Sequence, residues 1–532
     1  MNAYARTGIL AAIVAVLVNG AALSAEPAAP PTIRSEWPGY LGPCGNFSER
    51  SGVKLLDDMT KVRFVWESEE KGIGFGKAHT GAGKGGLGKG FLGLAPGGEA
   101  SPIAAGGLVV QAYFVPRGDV WDAEVEQRMG AAFQKNVWRV AADDVVIGID
   151  AATGKTRWKQ TFAGKGINTG AGKRGGWAAT PCAASGRVFA LGTTGRIYCL
   201  DLASGKPLWE SNIGPMHQRM EEAKVKALQS RRLATTGGHL GRPYAMLVVV
   251  DGALLVPDWS GGLLGIDPAS GKTLWHAGTG REKILSGFNA PCPVQTGVKK
   301  FIACVNARGD LRLLDPQSGG IAWTMPLKCE HLTQPVAGNE LLIAFESNPK
   351  YSEGKQEGVN QVGVLAGYRF DAKGASRAWV LPAEYDHELK LDAGPSRRVI
   401  ARGGLVYYLA RSKREGKTYR LLVIREKDGS ILKAQDIDAG QFYVWGDRVV
   451  AVTDNQHRPR AANPEIWQLY TADPLDFRAI GSGWHVNNPA HPAHIATGGY
   501  EVPVYEAFAD GLMYCRVMGG IRCYDLRKAA GK

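Results

Sequence analysis

Three groups of residues in this chain have side chains and spacings that could do chemistry. His485, His491 and His494 fall within ten residues, the last two flanking Pro492 and Ala493. Imidazoles at that density can ligate a metal. Pro489 and Pro492 rule out a helix that would present two of them on one face, so a loop would have to hold the ion. The second group is cationic and set in glycine. Thr80-Gly81-Ala82-Gly83-Lys84 returns as Thr169-Gly170-Ala171-Gly172-Lys173, followed by Arg174, and Lys89 lies in the same Gly-rich stretch as Lys84. Consecutive backbone amides beside a Lys can form an anion-binding nest, which makes Lys84, Lys89, Lys173 and Arg174 candidate anion ligands. The third group is cysteine. Cys292 and Cys304 flank one expected hairpin turn, and Cys515 and Cys523 flank another. Each pair has an even separation, read here as placing both thiols on one sheet face, where a disulfide could form. The alternative is that small apolar thiols fill the core. Cys44, Cys182, Cys199 and Cys329 have no evident partner.

Two nucleotide-like patterns fail on inspection. Gly81, Gly83 and Gly86 match the dinucleotide spacing, and the run from Gly83 to Lys89 nearly matches a phosphate loop. Gly90 stands where Ser or Thr is required, and neither match sits in a strand–loop–helix unit. Twelve glycines between Gly72 and Gly98 produce such matches by composition alone. No Ser/His/Asp set or paired carboxylates stand out from the background.

The elements that must position these residues are announced by a repeat. Asp150, Thr153, Gly154 and Trp158 recur as Asp201, Ser204, Gly205 and Trp209, as Asp267, Ser270, Gly271 and Trp275, and as Asp315, Ser318, Gly319 and Trp323. The acid-to-Trp distance is eight residues each time, while successive Trp are 51, 66 and 48 apart. Each acid ends an apolar strand, the Ser/Thr–Gly pair is the chemistry of a tight turn with a positive-φ Gly, and the Trp rides the returning strand. One copy cannot bury its own faces, so copies must stack, and radial stacking of four-stranded sheets is a propeller. A linear solenoid is the weaker alternative.

These units resemble the PQQ-type, tryptophan-docking repeat of eight-bladed propellers, from about residue 60 onward. The family includes quinoprotein alcohol dehydrogenases and BamB-type assembly propellers. The resemblance implies an all-β fold, an eight-bladed β-propeller of four-stranded antiparallel blades, and says little about activity. It also implies a dehydrogenase test: a vicinal Cys pair over the quinone, with Glu, Asn and Asp on calcium. No two Cys are adjacent here, and the covalent haem motif is missing; Asp258-Trp259 and Asn289 are the only conceivable remnants of the site. No cofactor is therefore expected, with PQQ and calcium as the alternative.

Blades one to four close on the four repeat Trp, and blade five on Asp371…Trp379. Blade six ends near Asp428-Gly429 without a Trp, and blade seven spans Gln441–Ile480. Blade eight is incomplete: 511–517 and 521–525 are strands, but Lys532 follows before any Trp strand. Residues 62–67, carrying Trp66, are expected to supply its outer strand and close the ring against exposed edges.

The N-terminus reads as a signal peptide over 1–25, with Arg6, an apolar run from Gly8 to Val18 and a small-residue end at Ala25. Residues 26–60 read as a linker and lead-in, and 61–532 as the propeller. The run is short for a membrane span, so a periplasmic, secreted or cell-surface monomer with no stable span after cleavage is expected. The long insertions, 67–100, 116–144, 159–179, 210–243, 276–289, 347–362, 454–465 and 481–499, all fall between strands B and C or between blades. Short helices are expected at Pro215–Leu233 and Asp122–Gln134. One face of the disc is thus loop-decorated and the other has only tight turns, which makes the loop face the expected binding face. With a formal net charge of +13, an envelope protein or an anionic polymer is the expected partner, and no specific nucleic acid. The reading is a binding scaffold, with a quinoprotein-type oxidoreductase as the alternative.

Overall fold

The structure, a computed structural model, describes residues 35–49, 51–73, 96–97, 100–116, 137–171, 179–212, 246–257, 262–278, 291–306, 309–328, 334–348, 362–388, 399–411, 419–437, 439, 441–452, 466–485, 506–517 and 520–529. They form eight antiparallel sheets, each a blade of strands A to D. Blade 1 is Ile103–Ala105, Leu108–Pro116, Val137–Asp150 and Thr156–Ala171. Blade 8 is Glu506–Ala509, Leu512–Val517 and Gly520–Asp525, completed by Arg63–Glu67. Trp66 lies opposite Cys523, so the N-terminal strand closes the ring as the sequence requires. The A strands of blades 8 and 1, 1 and 2, 2 and 3, 4 and 5, and 5 and 6 touch one another, which places the A strands around the axis.

The repeat signature is consumed by local geometry. In the C–D turn of blade 1, Asp150 Oδ1 accepts from the amides of Ala152 and Thr153 and from the Thr153 hydroxyl. The Gly154 amide returns to the Asp150 carbonyl at 2.8 Å, with φ at 74°. Blades 2 to 4 repeat this with Gly205, Gly271 and Gly319, all at positive φ. The side-chain hydrogen bond from Ser204 holds Asp201 below the usual carboxylate range, and Ser270 does the same for Asp267.

The returning Trp is a wedge between blades. The Trp158 indole donates to the Leu202 carbonyl of blade 2 at 3.0 Å, and its ring fills the space where a side chain on Gly148 or Gly205 would stand. Trp209 bonds Pro268 of blade 3, Trp275 Pro316 of blade 4, Trp323 Asp371 of blade 5, Trp379 Glu426 of blade 6, and Trp66 Ala151 of blade 1. Between each of these pairs of blades from 1 to 6 lies its own apolar cluster, whereas blades 6, 7, 8 and 1 share one continuous core. Blade 6 has no docking indole, and there the Tyr407 hydroxyl donates to the Ala472 carbonyl of blade 7 at 2.7 Å.

One expectation is revised. Residues 137–144 and 159–171, read as loop, are strand: the C and D strands of blade 1 run on as a two-stranded ribbon, paired from Ala142–Gly166 out to Val137–Ala171. A bulge beside Asp143 separates it from the blade. Residues 35–49 and 51–60, within the 26–60 stretch read as linker and lead-in, pack against the ring, with Trp37, Phe47, Leu55 and Met59 at most 1% exposed. The helices expected within 122–134 and 215–233 lie outside the described residues.

Strand register separates the cysteines of each expected pair. Cys292 pairs with Ala303 and Cys515 with Arg522, because each hairpin has a two-residue turn and cross-strand partners are an odd number of residues apart. An even separation therefore places the two thiols on opposite sheet faces. Cys292 lies in the core between blades 4 and 5, and Cys304 in the core between blades 3 and 4. None of the four is in a disulfide. Burial pushes Cys292 and Cys199 up to about 12 and raises Cys182, Cys304 and Cys523 as well. A thiol reagent applied to the folded protein is expected to modify Cys44, the one described Cys that is not buried, and to spare these five and Cys515 until unfolding. Peptide mapping under non-reducing conditions checks this; a Cys292–Cys304 or Cys515–Cys523 linked peptide would overturn the register.

Candidate binding face

A–B and C–D turns share one face of the disc, and at its axis lies the N-terminal segment. The Ser35 amide and hydroxyl both bond Asp510 of blade 8, and Glu36 accepts from the Gly106 amide of blade 1. Trp37 exchanges both backbone hydrogen bonds with Ala104, and the Pro38 carbonyl accepts from Ala183 of blade 2. Asn46 donates to the Ala401 carbonyl of blade 6, and Ser48–Glu49 adds a parallel strand to the A strand of blade 7. The chain thus circles the axis on the tight-turn side, satisfying inner-edge backbone groups that would otherwise face the channel.

The opposite, loop-bearing face is built from blade 1 outward. The ribbon is braced at its foot by Asp144, which is 3% exposed. Asp144 accepts from the Thr193 amide at 3.1 Å, the Thr193 hydroxyl at 2.7 Å and the Tyr198 hydroxyl at 2.9 Å, all from blade 2. Burial and the adjacent Asp144 charge raise the Tyr198 phenol far above its ordinary value, so it stays a donor. Phe162 stacks on Tyr198 at 3.7 Å, and Lys165 pairs with Glu210, which also accepts from Arg196 at 2.9 Å. The carboxylate is thus fully employed in holding two blades at the ribbon's base.

The ribbon leads directly to the second Gly–Lys string, since its last residues are Thr169, Gly170 and Ala171. The first string is rooted nearby. Residues 68–73 pass between blades 8 and 1, where the Ser68 hydroxyl accepts from the Ile521 amide and Lys159 pairs with Glu70 at 2.6 Å. The stretch returns at Gly97, which exchanges two backbone hydrogen bonds with Phe114 of blade 1. Beneath these roots Arg516, with no exposure, donates to the Ala100 carbonyl at 3.1 Å, as does Gln111 at 3.0 Å. The structure therefore brings the roots of both strings to blade 1. Lys84, Lys89, Lys173 and Arg174 themselves lie outside the described residues.

The histidine tract divides. His485 ends the outer strand of blade 7 opposite Ile466 and is exposed; His491 and His494 lie outside the described residues. Among the described residues no group of three His, Cys, Asp or Glu converges. Four of the buried carboxylates already serve the fold. Asp144 is bound to Thr193 and Tyr198, Glu426 to three backbone amides, Glu506 to Tyr443, and Asp525 to Arg63 and Arg527. Each of these four has a hydrogen-bond or ion-pair partner within the chain. Asp258, Trp259 and Asn289 lie outside the description. Sequence reasoning missed Asp144, Tyr407 and Glu426; the signal for the first was an Asp143-Asp144 pair inside an apolar strand.

Eight sheets, docked by indoles and turned about an axis whose tight-turn end is occupied by the chain's own N-terminal segment, define a tryptophan-docked β-propeller. The chain belongs to the PQQ-like repeat family described as outer membrane protein assembly factor BamB, whose model matches residues 106–284 and again 260–472. It is similar in fold to BamB from Moraxella catarrhalis, at 14% identity and a TM-score of 0.43, over 74% of this chain and 93% of that one. A europium-containing methanol dehydrogenase matches at 13% identity and a TM-score of 0.37, over 92% and 98%. A quinohemoprotein alcohol dehydrogenase from Comamonas testosteroni matches at 13% identity and 0.35, over 93% and 82%. No curated protein matches the chain in sequence. No helix among the described residues is long and apolar enough to cross a membrane.

Proposed function

We propose that this protein is an exported binding scaffold of the cell envelope that holds a protein or anionic-polymer partner on its loop face. The observation that carries this reading is the asymmetry of the disc. Its tight-turn end is taken up by residues 35–49, while the blade 1 ribbon and the roots of both Gly–Lys strings stand on the other side. A rigid ring that presents long connections on one face suits recognition. The family description, outer membrane protein assembly, supports an envelope setting, as does the signal-like sequence of residues 1–25. In this reading Lys84, Lys89, Lys173 and Arg174 supply cationic contacts, and the binding is salt-sensitive.

Three measurements test it. Photo-crosslinkers at Lys165, beside the ribbon, are expected to capture partner from envelope extract, and crosslinkers at Lys155, on the tight-turn face, are not; equal capture at both would reject the face. Replacing Lys84, Lys89, Lys173 and Arg174 with alanine is expected to lower the salt needed for elution from an immobilised anionic polymer, and unchanged elution would reject the anion contacts. Dye-linked alcohol oxidation upon addition of PQQ and calcium would replace the scaffold reading with the oxidoreductase one.

A further inference from the structure

The seam between blades 7 and 8 departs from every other one in a specific way. In three of the six indole-docked seams, the residue after the turn's first position donates its amide to the carbonyl of the A–B turn glycine of its own blade and offers its own carbonyl to the preceding blade; where Pro268 and Pro316 are the acceptors there is no amide to donate. Ala151 bonds Gly107 and receives Trp66; Leu202 bonds Gly186 and receives Trp158; Glu426 bonds Gly404 and receives Trp379. Leu526 of blade 8 bonds Gly511 in the same manner, so its carbonyl is the eighth docking acceptor. No indole of blade 7 reaches it: the Leu56 amide donates to it at 2.8 Å. Beside it the Lys528 amide donates to the Lys54 carbonyl at 2.9 Å, and Leu55 faces Arg527 in an antiparallel bridge.

The segment is anchored on both sides of this seam. On blade 7, Glu49 accepts from the Gly446 amide at 2.8 Å, Asp57 pairs with Arg448 at 2.8 Å, and the 3-10 turn Met59–Lys61 lies against the outer strand. On blade 8, Asp57 also pairs with Lys528 at 2.5 Å. Three glycines leave room for it. A side chain on Gly446 would meet the Val53 carbonyl at 2.7 Å, one on Gly481 would meet Asp58, and one on Gly511 would meet Val53 at 2.9 Å. Leu55, Leu56 and Met59 join the core that also holds Trp445, Trp467, Trp484 and Phe508.

We propose that residues 35–49 and 51–61 are the latch of the ring: the segment gives the blade 8 docking carbonyl the hydrogen bond that an indole gives in the docked seams, and its release opens that seam before any other. The physical reason is connectivity. A docking Trp is carried by a strand of its own blade, whereas this donor belongs to a separate segment over 450 residues away in sequence from its acceptor. Its attachment therefore closes a long loop, and it can detach without unravelling a blade.

A reversible lock tests the latch in the full chain. Leu55 and Arg527 form a non-hydrogen-bonded antiparallel pair, the close-Cα geometry in which a disulfide can form. In the double variant L55C/R527C, hydrogen exchange in mild denaturant is compared before and after oxidation. In the reduced form, amides of 441–445, 506–517 and 520–525 are expected to lose protection before those of blades 2 to 5. Oxidation is expected to slow exchange at those positions about tenfold or more and to leave blades 2 to 5 unchanged. Equal exchange in the two forms, or earlier opening in blades 2 to 5, would overturn the proposal, and failure of the pair to oxidise would contradict the docking of Leu55 on Arg527. Leu56→Pro, which removes the donating amide, gives a second reading. Early loss of protection confined to blades 7 and 8 supports the latch, and wild-type exchange there rejects it.

Discussion

Replacing Trp158 with alanine is expected to destabilise the folded ring by about 3–5 kcal/mol, the range for deleting a buried indole. The ring is 8% exposed and lies between Gly148 of its own blade and Gly205 of the next, positions at which no side chain fits beside it. The neighbours cannot collapse into the space, because both contact points are backbone held by strand or turn hydrogen bonds. The lost volume therefore remains largely as cavity, and the Leu202 carbonyl loses its donor. Trp158→Phe separates the two contributions. It keeps most of the wedge and removes only the donor, so about 1–2 kcal/mol is expected. Denaturant unfolding at constant m-value measures both. A Trp158→Ala effect within about 0.5 kcal/mol, the range of surface substitutions, would show that the indole does not carry the seam.

The second large effect is expected at Glu426, which is 2% exposed and joins blades 5 and 6 twice. Its carboxylate accepts from the backbone amides of Asn339 at 3.0 Å, Glu340 at 2.7 Å and Leu341 at 2.9 Å, all in the A–B turn of blade 5 or at its end. Its carbonyl receives the Trp379 indole at 2.6 Å. Alanine leaves the carbonyl bond and strands three donors, at least one of them buried, and the expected loss is about 3–4 kcal/mol at roughly 1–3 kcal/mol per unsatisfied buried group. Glu426→Gln keeps an acceptor oxygen but gives up the charge that strengthens these bonds, and about 1–2 kcal/mol is expected. Hydrogen exchange of 336–345 should rise in step with the lost stability; unchanged exchange in that turn would assign the effect elsewhere.

The two positions differ in how far they could be read from the chain. Trp158 is legible because the docking chemistry is local: acid, Ser or Thr, Gly and Trp fall within nine residues, and each has a role that depends on its immediate neighbours. Glu426 is not, since its partners lie more than 80 residues away and belong to a turn with no distinctive sequence. The same limit hid Tyr407, which replaces an indole from strand B rather than strand D. The cysteine pairs show a different failure. Their positions were right, but parity alone cannot assign a face until the turn length fixes the register, and a two-residue turn reverses the inference.

The candidate binding face was partly legible for a related reason. Insertion lengths show which connections are long, and strand alternation assigns them to one side of the disc. The extension of blade 1 into a ribbon could not be read this way, because Gly164 and Gly166 resemble loop residues until a partner strand pairs with them. The buried Asp144 that braces the ribbon depends on Thr193 and Tyr198 of the next blade, a contact between repeats.

By itself, then, the sequence determined the repeat and the turn chemistry, because both follow from short-range spacing repeated four times, and the resemblance those repeats carry implied eight blades with the Trp66 strand closing the ring. Only the tertiary structure decided how the ring is completed at blades 6 to 8 and what occupies its axis. There the repeat decays, and its places are taken by the Tyr407 hydroxyl, an aromatic core and the amide of Leu56. A backbone amide carries no side-chain signature, so its use as the eighth docking group could be seen only once the two ends of the chain were brought together.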